Sequence, residues 1–263
     1  MKGQLTTPIT YYGGKQKMLK HILPLIPQHS LYCEPFLGGG AVFWAKKPSP
    51  VEVINDLDGR ITNFYKVCQS DFGALRTLIL ATPHSRQMHR EAERALKYPD
   101  LYSDLKRAWA FYVQTQQGFG GQLFGGWGYE RKTNKSSLKI YNKRSRFIKQ
   151  FQQRLNLVQI ECNDALQVIK SRDTEQSFFY VDPPYFNSDC AHYSGYTIDD
   201  YKALLDVLAG LKGKFLLSSY PSDILMEYAK NNGWYMKRFE SRVAVTHLTV
   251  KMKTEVLVAN YPI

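Results

Sequence analysis

The stretch "FFYVDPPYFNSD", Phe178–Asp189, decides the fold. Phe178, Phe179, Tyr180 and Val181 form a short apolar, β-favouring run, the mark of a strand buried on both faces. The run meets a carboxylate, Asp182, and then two prolines. Pro183 holds Asp182 extended and Pro184 does the same to Pro183. Neither proline has an N–H, so the backbone carbonyls there can face a cavity without a competing donor. The result is a rigid pair of acceptors, the Asp182 carboxylate and a backbone carbonyl (Pro183 first among the candidates), beside the flat face of Tyr185. A planar group bearing an NH2 fits such a pair. The exocyclic amine of a nucleobase is a poor nucleophile, because its lone pair is delocalised into the ring. Two acceptors on its hydrogens localise that pair and let it attack a methyl sulfonium, with positioning and electrostatics supplying the catalysis.

Other strand-like runs flank this one: "LYCEPF", "VEVINDLD", "LVQIECND", "KFLLSSY", "WYMKRFES" and "TEVLVANY". Helical segments stand between many of them, such as Ile198 to Leu208, where Thr197 and Asp200 form a capping-box pattern. The alternation predicts an α/β fold with a largely parallel, helix-covered sheet. It breaks between Gly59 and Leu157, which reads as helical to about Gln116 and then as glycine- and aromatic-rich. Arg131 to Ile160 holds nine Lys/Arg and no Asp or Glu. The expected organisation is therefore a catalytic domain made of residues 1–58 and 158–263, with residues 59–157 inserted as a basic, substrate-facing domain.

Composition narrows the function. The chain has 263 residues, 44% of them hydrophobic, which is enough for an ordinary core, and a formal charge of +12. That charge favours a polyanionic partner, most simply nucleic acid. No apolar stretch approaches a membrane span and no signal-peptide pattern opens the chain, so no membrane partner and a cytoplasmic setting are expected. The four cysteines (Cys33, Cys68, Cys162, Cys190) are scattered and the six histidines form no metal-type pair, so reduced thiols and no metal are expected.

Further candidate sites lie at strand ends. "CEPFLGGGAVFW", Cys33–Trp44, is a strand, three glycines and a helix start, and glycines there let a ligand approach the backbone. Neither the dinucleotide fingerprint nor a P-loop is present, since Phe43 stands at the third glycine position and no GxxxxGK[ST] occurs. The loop suits a nucleoside-type ligand without a pyrophosphate. Asp56 ends the next strand, where an acid can accept both ribose hydroxyls. Asp58 is its rival, and either can be a helix N-cap. Asp164, after another strand, is an adenine-amine acceptor or an N-cap.

"YYGGK" (Tyr11–Lys15), "EPFLGGG" and "DPPY", in this order with a basic insert between the last two, resemble the Dam-type (D12 class) family of DNA adenine-N6 methyltransferases over nearly the whole chain. The resemblance implies a Rossmann-like, seven-stranded sheet whose last hairpin, "WYMKRFES" with "TEVLVANY", carries an antiparallel strand, and an inserted, mainly helical DNA-recognition domain carrying a hairpin. It implies S-adenosylmethionine as cofactor. Tyr11 and Lys15 would close over it; Phe36, Gly38 and Gly39 would line its methionine end; Asp56 would hold its ribose and Asp164 its adenine, and Glu34 would also be among the cofactor-binding residues. Asp182, also beside the cofactor, would grip the target base with Pro183, Pro184 and Tyr185. That base would be flipped out of double-stranded DNA. "FGGQLFGGWGY" resembles the family's DNA-reading hairpin. Gln122, Trp127, Tyr129 or Arg131 would reach base edges or fill the gap left by the base. Lys132, Lys135, Lys139, Lys143, Arg144 and Arg146, with Arg131, would meet phosphates. Apart from the resemblance, Phe186 either walls the pocket or packs in the core, and the polar and aromatic loop Asn187–Tyr196 suits a lid that orders when DNA binds. No obligate protein partner is implied, and the sequence leaves a restriction-modification setting open. The open alternatives are a cytosine-N4 methyltransferase, a protein-glutamine methyltransferase and a DNA-binding module without turnover.

Overall fold

The computed structural model describes residues 5–11, 13–185, 195–244 and 250–263, with side chains of 241–253 outside the description. Seven strands form one sheet: β1 (Leu31–Glu34), β2 (Val51–Asn55), β3 (Val158–Glu161), β4 (Ser177–Val181), β5 (Lys214–Ser219), β6 (Tyr235–Ala244) and β7 (Val250–Ala259). Their order is β3-β2-β1-β4-β5-β7-β6. β1 pairs parallel with β2 and β4, and β4 with β5. β7 is antiparallel to β5 and β6. All seven runs read as strands from the sequence form, and so does the antiparallel hairpin.

The chain divides into two compact units. One comprises Met1–Leu19, Gly38–Pro48 and Asp56–Cys162; the other comprises Lys20–Leu37, Ser49–Asn55 and Asn163–Ile263. The second unit holds six of the strands and the helices α1 (Leu19–Ile22, except its first residue), α9 (Ala165–Ser171), α10 (Ile198–Ala209) and α11 (Asp223–Asn231). Every residue of β4 is buried. Alternation sends Phe179 and Val181 to one face, where they pack with Cys33, Phe215, Leu217 and the apolar sides of α9, α10 and α11. Phe178 goes to the other face, against Tyr32, His29 and Tyr261. Each such buried aromatic contributes about 2–3 kcal/mol. α10 starts where the capping box does: Thr197 Oγ1 accepts from Asp200 N–H, and the Asp200 carboxylate accepts from Thr197 N–H.

The first unit is built from α2 (Ala41–Ala45), α3 (Gly59–Ser70), α4 (Phe72–Ala81), α5 (Arg86–Lys97), α6 (Asp104–Gln117), α7 (Lys135–Ser145) and α8 (Gln150–Leu155), and includes β3. Its aromatic centre is Phe64, Phe111, Tyr112 and Phe147, all buried. The expected glycine-rich hairpin is reduced to one antiparallel bridge, Gly118↔Trp127, which closes a loop that opens with a 3-10 turn at Phe119–Gly121. Gly120 (φ +65°) and Gly121 (φ +73°) turn the chain away before a longer ladder can form. Among the described residues no helix is long and apolar enough to cross a membrane.

Candidate active site

In the second unit the strand order reverses between β1 and β4. In open α/β sheets ligands bind outside the carboxyl ends of the strands at such a switch. β1 ends there on Glu34 and β4 runs into Asp182. Asp182 is half-buried and Pro183 is buried. The Tyr185 hydroxyl donates to Asp182 Oδ1 at 3.1 Å and lies 3.4 Å from Ser218 Oγ at the end of β5. Its ring sits 4.2 Å from that of Tyr220, tilted by 44°. Burial, reinforced by the Asp182 charge, holds the Tyr185 phenol well above its ordinary range, so it remains a donor. Tyr180, on β4, is raised for the same two reasons. Glu34 is buried and accepts from the Tyr32 hydroxyl at 2.6 Å. Phe36 meets Tyr196 edge-on at 6.5 Å. Phe186, His192, Cys190 and most of the expected lid lie outside the described residues, as does Tyr12.

Asn55 is a residue whose part the sequence did not disclose. Fully buried at the end of β2, it donates to Pro35 O (2.9 Å) and Asn163 O (3.0 Å) and accepts from Asn163 N–H (2.9 Å). One amide thus clasps the turn after β1 to the turn before α9, with three of its four bonds made. Asp164, in that second turn, caps α9 through a 3.0 Å bond from Gln167 N–H.

The first unit brings Tyr11, Gly38, Gly39 and Asp56 together. Gly38 has φ +50°, and a Cβ on Gly39 would stand 2.9 Å from Tyr11 Cβ, so the ring lies against backbone that only glycine allows. Gly38 N–H donates to Asp56 Oδ2 at 2.8 Å and Asp58 N–H to Oδ1 at 2.9 Å. Burial pushes the Asp56 carboxyl up to about 6 despite those two bonds. The two acids have different partners: Asp58 caps α3 through Arg60 N–H and grips the Arg60 guanidinium with both oxygens, whereas Asp56 accepts from the glycine turn. Lys15 is buried, its Nζ 3.5 Å from Gly13 O.

The residues expected to meet DNA fall into two sets. Arg131, Lys132, Lys135, Lys139 and Arg146 are exposed. Lys143 and Arg144 are turned inward: Lys143 Nζ donates to Thr10 and Gln116, and Arg144 to the carbonyls of Leu80 and Thr82. Trp127 stacks with Tyr129 (5.5 Å, 14°) under the Arg86 guanidinium and beside His84. Gln122 is half-buried and packs near Gly125. Two features escaped the sequence reading. Phe119 is 73% exposed at the start of the glycine loop. Arg86, Arg90, Arg94 and Lys97 are exposed at helical spacing along α5, a signal available in the i, i+4, i+8, i+11 pattern.

The family of D12 class N6 adenine-specific DNA methyltransferases matches residues 11–249, and the chain belongs to it. It is 27% identical over 276 residues to the Type II methyltransferase M1.LlaDCHI of Lactococcus lactis subsp. cremoris, covering 95% of this chain and 93% of that one. It is 26% identical over 245 residues to the DNA N-6-adenine-methyltransferase of Escherichia phage P1. That match covers 89% of this chain but only 32% of the phage protein. A precorrin 8w decarboxylase from Methanobacterium thermoautotrophicum covers 98% of both chains at 9% identity with a TM-score of 0.41.

Proposed function

We propose that this chain takes the methyl group of S-adenosylmethionine and places it on the N6 amine of an adenine flipped out of duplex DNA. The observation that carries the reading is Asp182 at the buried end of β4, with Tyr185 hydrogen-bonded to it, at the sheet's switch point. The Gly38–Gly39 turn under Tyr11, with Asp56 enclosed beside it, fits a nucleoside-type ligand that approaches the backbone closely. Tyr11, Lys15, Glu34, Phe36, Gly38, Gly39, Asp56 and Asp164 are the residues assigned to holding it, Asp56 through the ribose hydroxyls. Bound there, S-adenosylmethionine supplies an electrophilic methyl on a sulfonium.

The protein's own part is to prepare the amine. The Asp182 carboxylate and the Pro183 carbonyl accept its two hydrogens, which localises the nitrogen lone pair. Tyr185 presents the ring face against which the base lies, and its hydroxyl yields Asp182 Oδ1 to the amine. The residues 59–157 act as the DNA-recognition domain. Exposed Arg131, Lys132, Lys135, Lys139 and Arg146, with the α5 row, meet phosphates. Phe119 is the apolar wedge best placed by its exposure to occupy the space of the flipped base. Trp127 and Tyr129, stiffened by Arg86, present base-edge contacts, together with Gln122.

Transfer of labelled methyl from S-adenosylmethionine to unmethylated genomic DNA, followed by mass spectrometry of the nucleosides, tests this directly. N6-methyladenine is the expected product; N4-methylcytosine, or no transfer to DNA, would overturn the assignment. In parallel, Lys135→Gln with Lys139→Gln should lower the slope of log affinity against log salt by about 1.8, about 0.9 for each lost phosphate contact. An unaltered slope would remove both from the interface.

A further inference from the structure

We propose that Lys143 is a positioning residue: it fastens the N-terminal segment that carries Tyr11 to the insert, and acts on cofactor affinity rather than on DNA phosphates. Three elements of the first unit converge on Thr10. From α6, Gln116 Oε1 accepts from the Thr10 hydroxyl at 3.1 Å. From α7, Lys143 Nζ donates to the Thr10 hydroxyl and, at 2.9 Å, to the same Gln116 oxygen. From the glycine loop, Gly121 lies so close that a Cβ there would stand 2.9 Å from Thr10 Cγ2. The next residue, Tyr11, covers Gly38 and Gly39.

A phosphate contact calls for an exposed, freely moving ammonium. Lys139, one turn earlier on α7, meets that description, being exposed. Lys143 does not. It is half-buried, its hydrogen bonds go to uncharged groups, and burial together with the nearby Lys139 charge pulls its pKa down to about 8. An ammonium held at that cost of desolvation is placed for what it ties together. What it ties is the segment before the cofactor turn to the helix and loop assigned to DNA.

The inference rests on the reading that Tyr11 closes over S-adenosylmethionine, and the test separates the two. S-adenosylmethionine affinity is measured by calorimetry on the full chain for the parent protein, Thr10→Val, Lys143→Met and the double variant. Salt dependence of DNA binding is measured for the parent, Lys143→Met and Lys139→Met. Each single change should weaken cofactor binding by roughly 5- to 10-fold, as expected for loss of one or two hydrogen bonds. The double variant should be no weaker than either, because one triangle is broken in all three. Lys143→Met should keep the parent salt slope while Lys139→Met lowers it by about 0.9. Unchanged cofactor affinity in Lys143→Met, additive effects in the double variant, or a slope lowered by about 0.9 would each overturn the proposal. A purely structural role would lower melting temperature without moving cofactor affinity, which also overturns it. Should Lys143→Met fail to fold, Thr10→Val, which keeps the side chain's shape, carries the test alone. A parent protein that binds no S-adenosylmethionine would defeat the proposed function itself.

Discussion

Asp182→Asn is expected to lower methyl transfer by at least about 10³-fold while leaving cofactor and DNA affinities within a few-fold of the parent. The expectation follows from what an amide puts in place of a carboxylate. One oxygen remains an acceptor, but the other becomes an NH2 donor that meets the amine it should receive. Losing one preorganised electrostatic contact to a developing charge commonly costs 10²–10³-fold, or about 3–4 kcal/mol, and here a repulsive contact is added. Tyr185 supplies an internal control, because its hydroxyl donates to Asp182 Oδ1 at 3.1 Å. Tyr185→Phe removes that competing donor and keeps the ring, so turnover should be retained within about threefold. Tyr185→Ala removes the ring face and should lose base flipping and rate together, read by 2-aminopurine fluorescence and single-turnover kinetics. Turnover surviving in Asp182→Asn would sink the mechanism. A large loss in Tyr185→Phe would move the tyrosine's role from its ring to its hydroxyl.

The sheet was legible because its signals are local. Buried strands such as β4 announce themselves as unbroken apolar runs, and the α10 capping box is written in Thr197 and Asp200 alone. The two runs of the terminal hairpin were readable in the same way, but their antiparallel pairing came from the family resemblance and not from any local signal. What could not be read were choices made by distant partners. Asp56 and Asp58 are two residues apart, and both are plausible caps. Only the position of Gly38 N–H, eighteen residues away in sequence, makes Asp56 the loop acid. Asn55 looks like any strand-end amide until Pro35 and Asn163 are seen to close on it. Lys143 and Lys139 are equivalent letters in an acid-free run, and the helix turns one outward and buries half of the other against Thr10. Sequence gives charge, whereas the direction in which a charge points is a property of packing.

Asp56 carries the second large expected effect, and it is a pH effect with a defined sign. Burial lifts its carboxyl from the ordinary range near 4 to about 6, against the pull of two backbone N–H groups. A carboxyl raised on folding holds its proton more tightly in the native state than in the unfolded chain. The stability linked to Asp56 is therefore complete below about pH 4 and is lost as pH rises through about 6. At neutral pH the protein thus keeps an ionised acid where burial disfavours it, which is reasonable if a ligand uses the charge. A ribose diol donating to both oxygens would stabilise the carboxylate and lower its pKa in the complex. S-adenosylmethionine affinity should accordingly be flat from pH 7 to 8 and fall below about 6, approaching tenfold per unit. Asp56→Asn should remove that dependence and weaken binding by on the order of 100-fold, as for the loss of two charge-assisted bonds worth about 3 kcal/mol together. Calorimetric titrations at pH 5, 6, 7 and 8 on both proteins decide it. A parent profile that stays level through pH 5 would detach the raised carboxyl from cofactor binding. Near-parental affinity in Asp56→Asn would reassign the ribose to another acceptor, and Asp58 could not take the role without releasing both Arg60 and the start of α3.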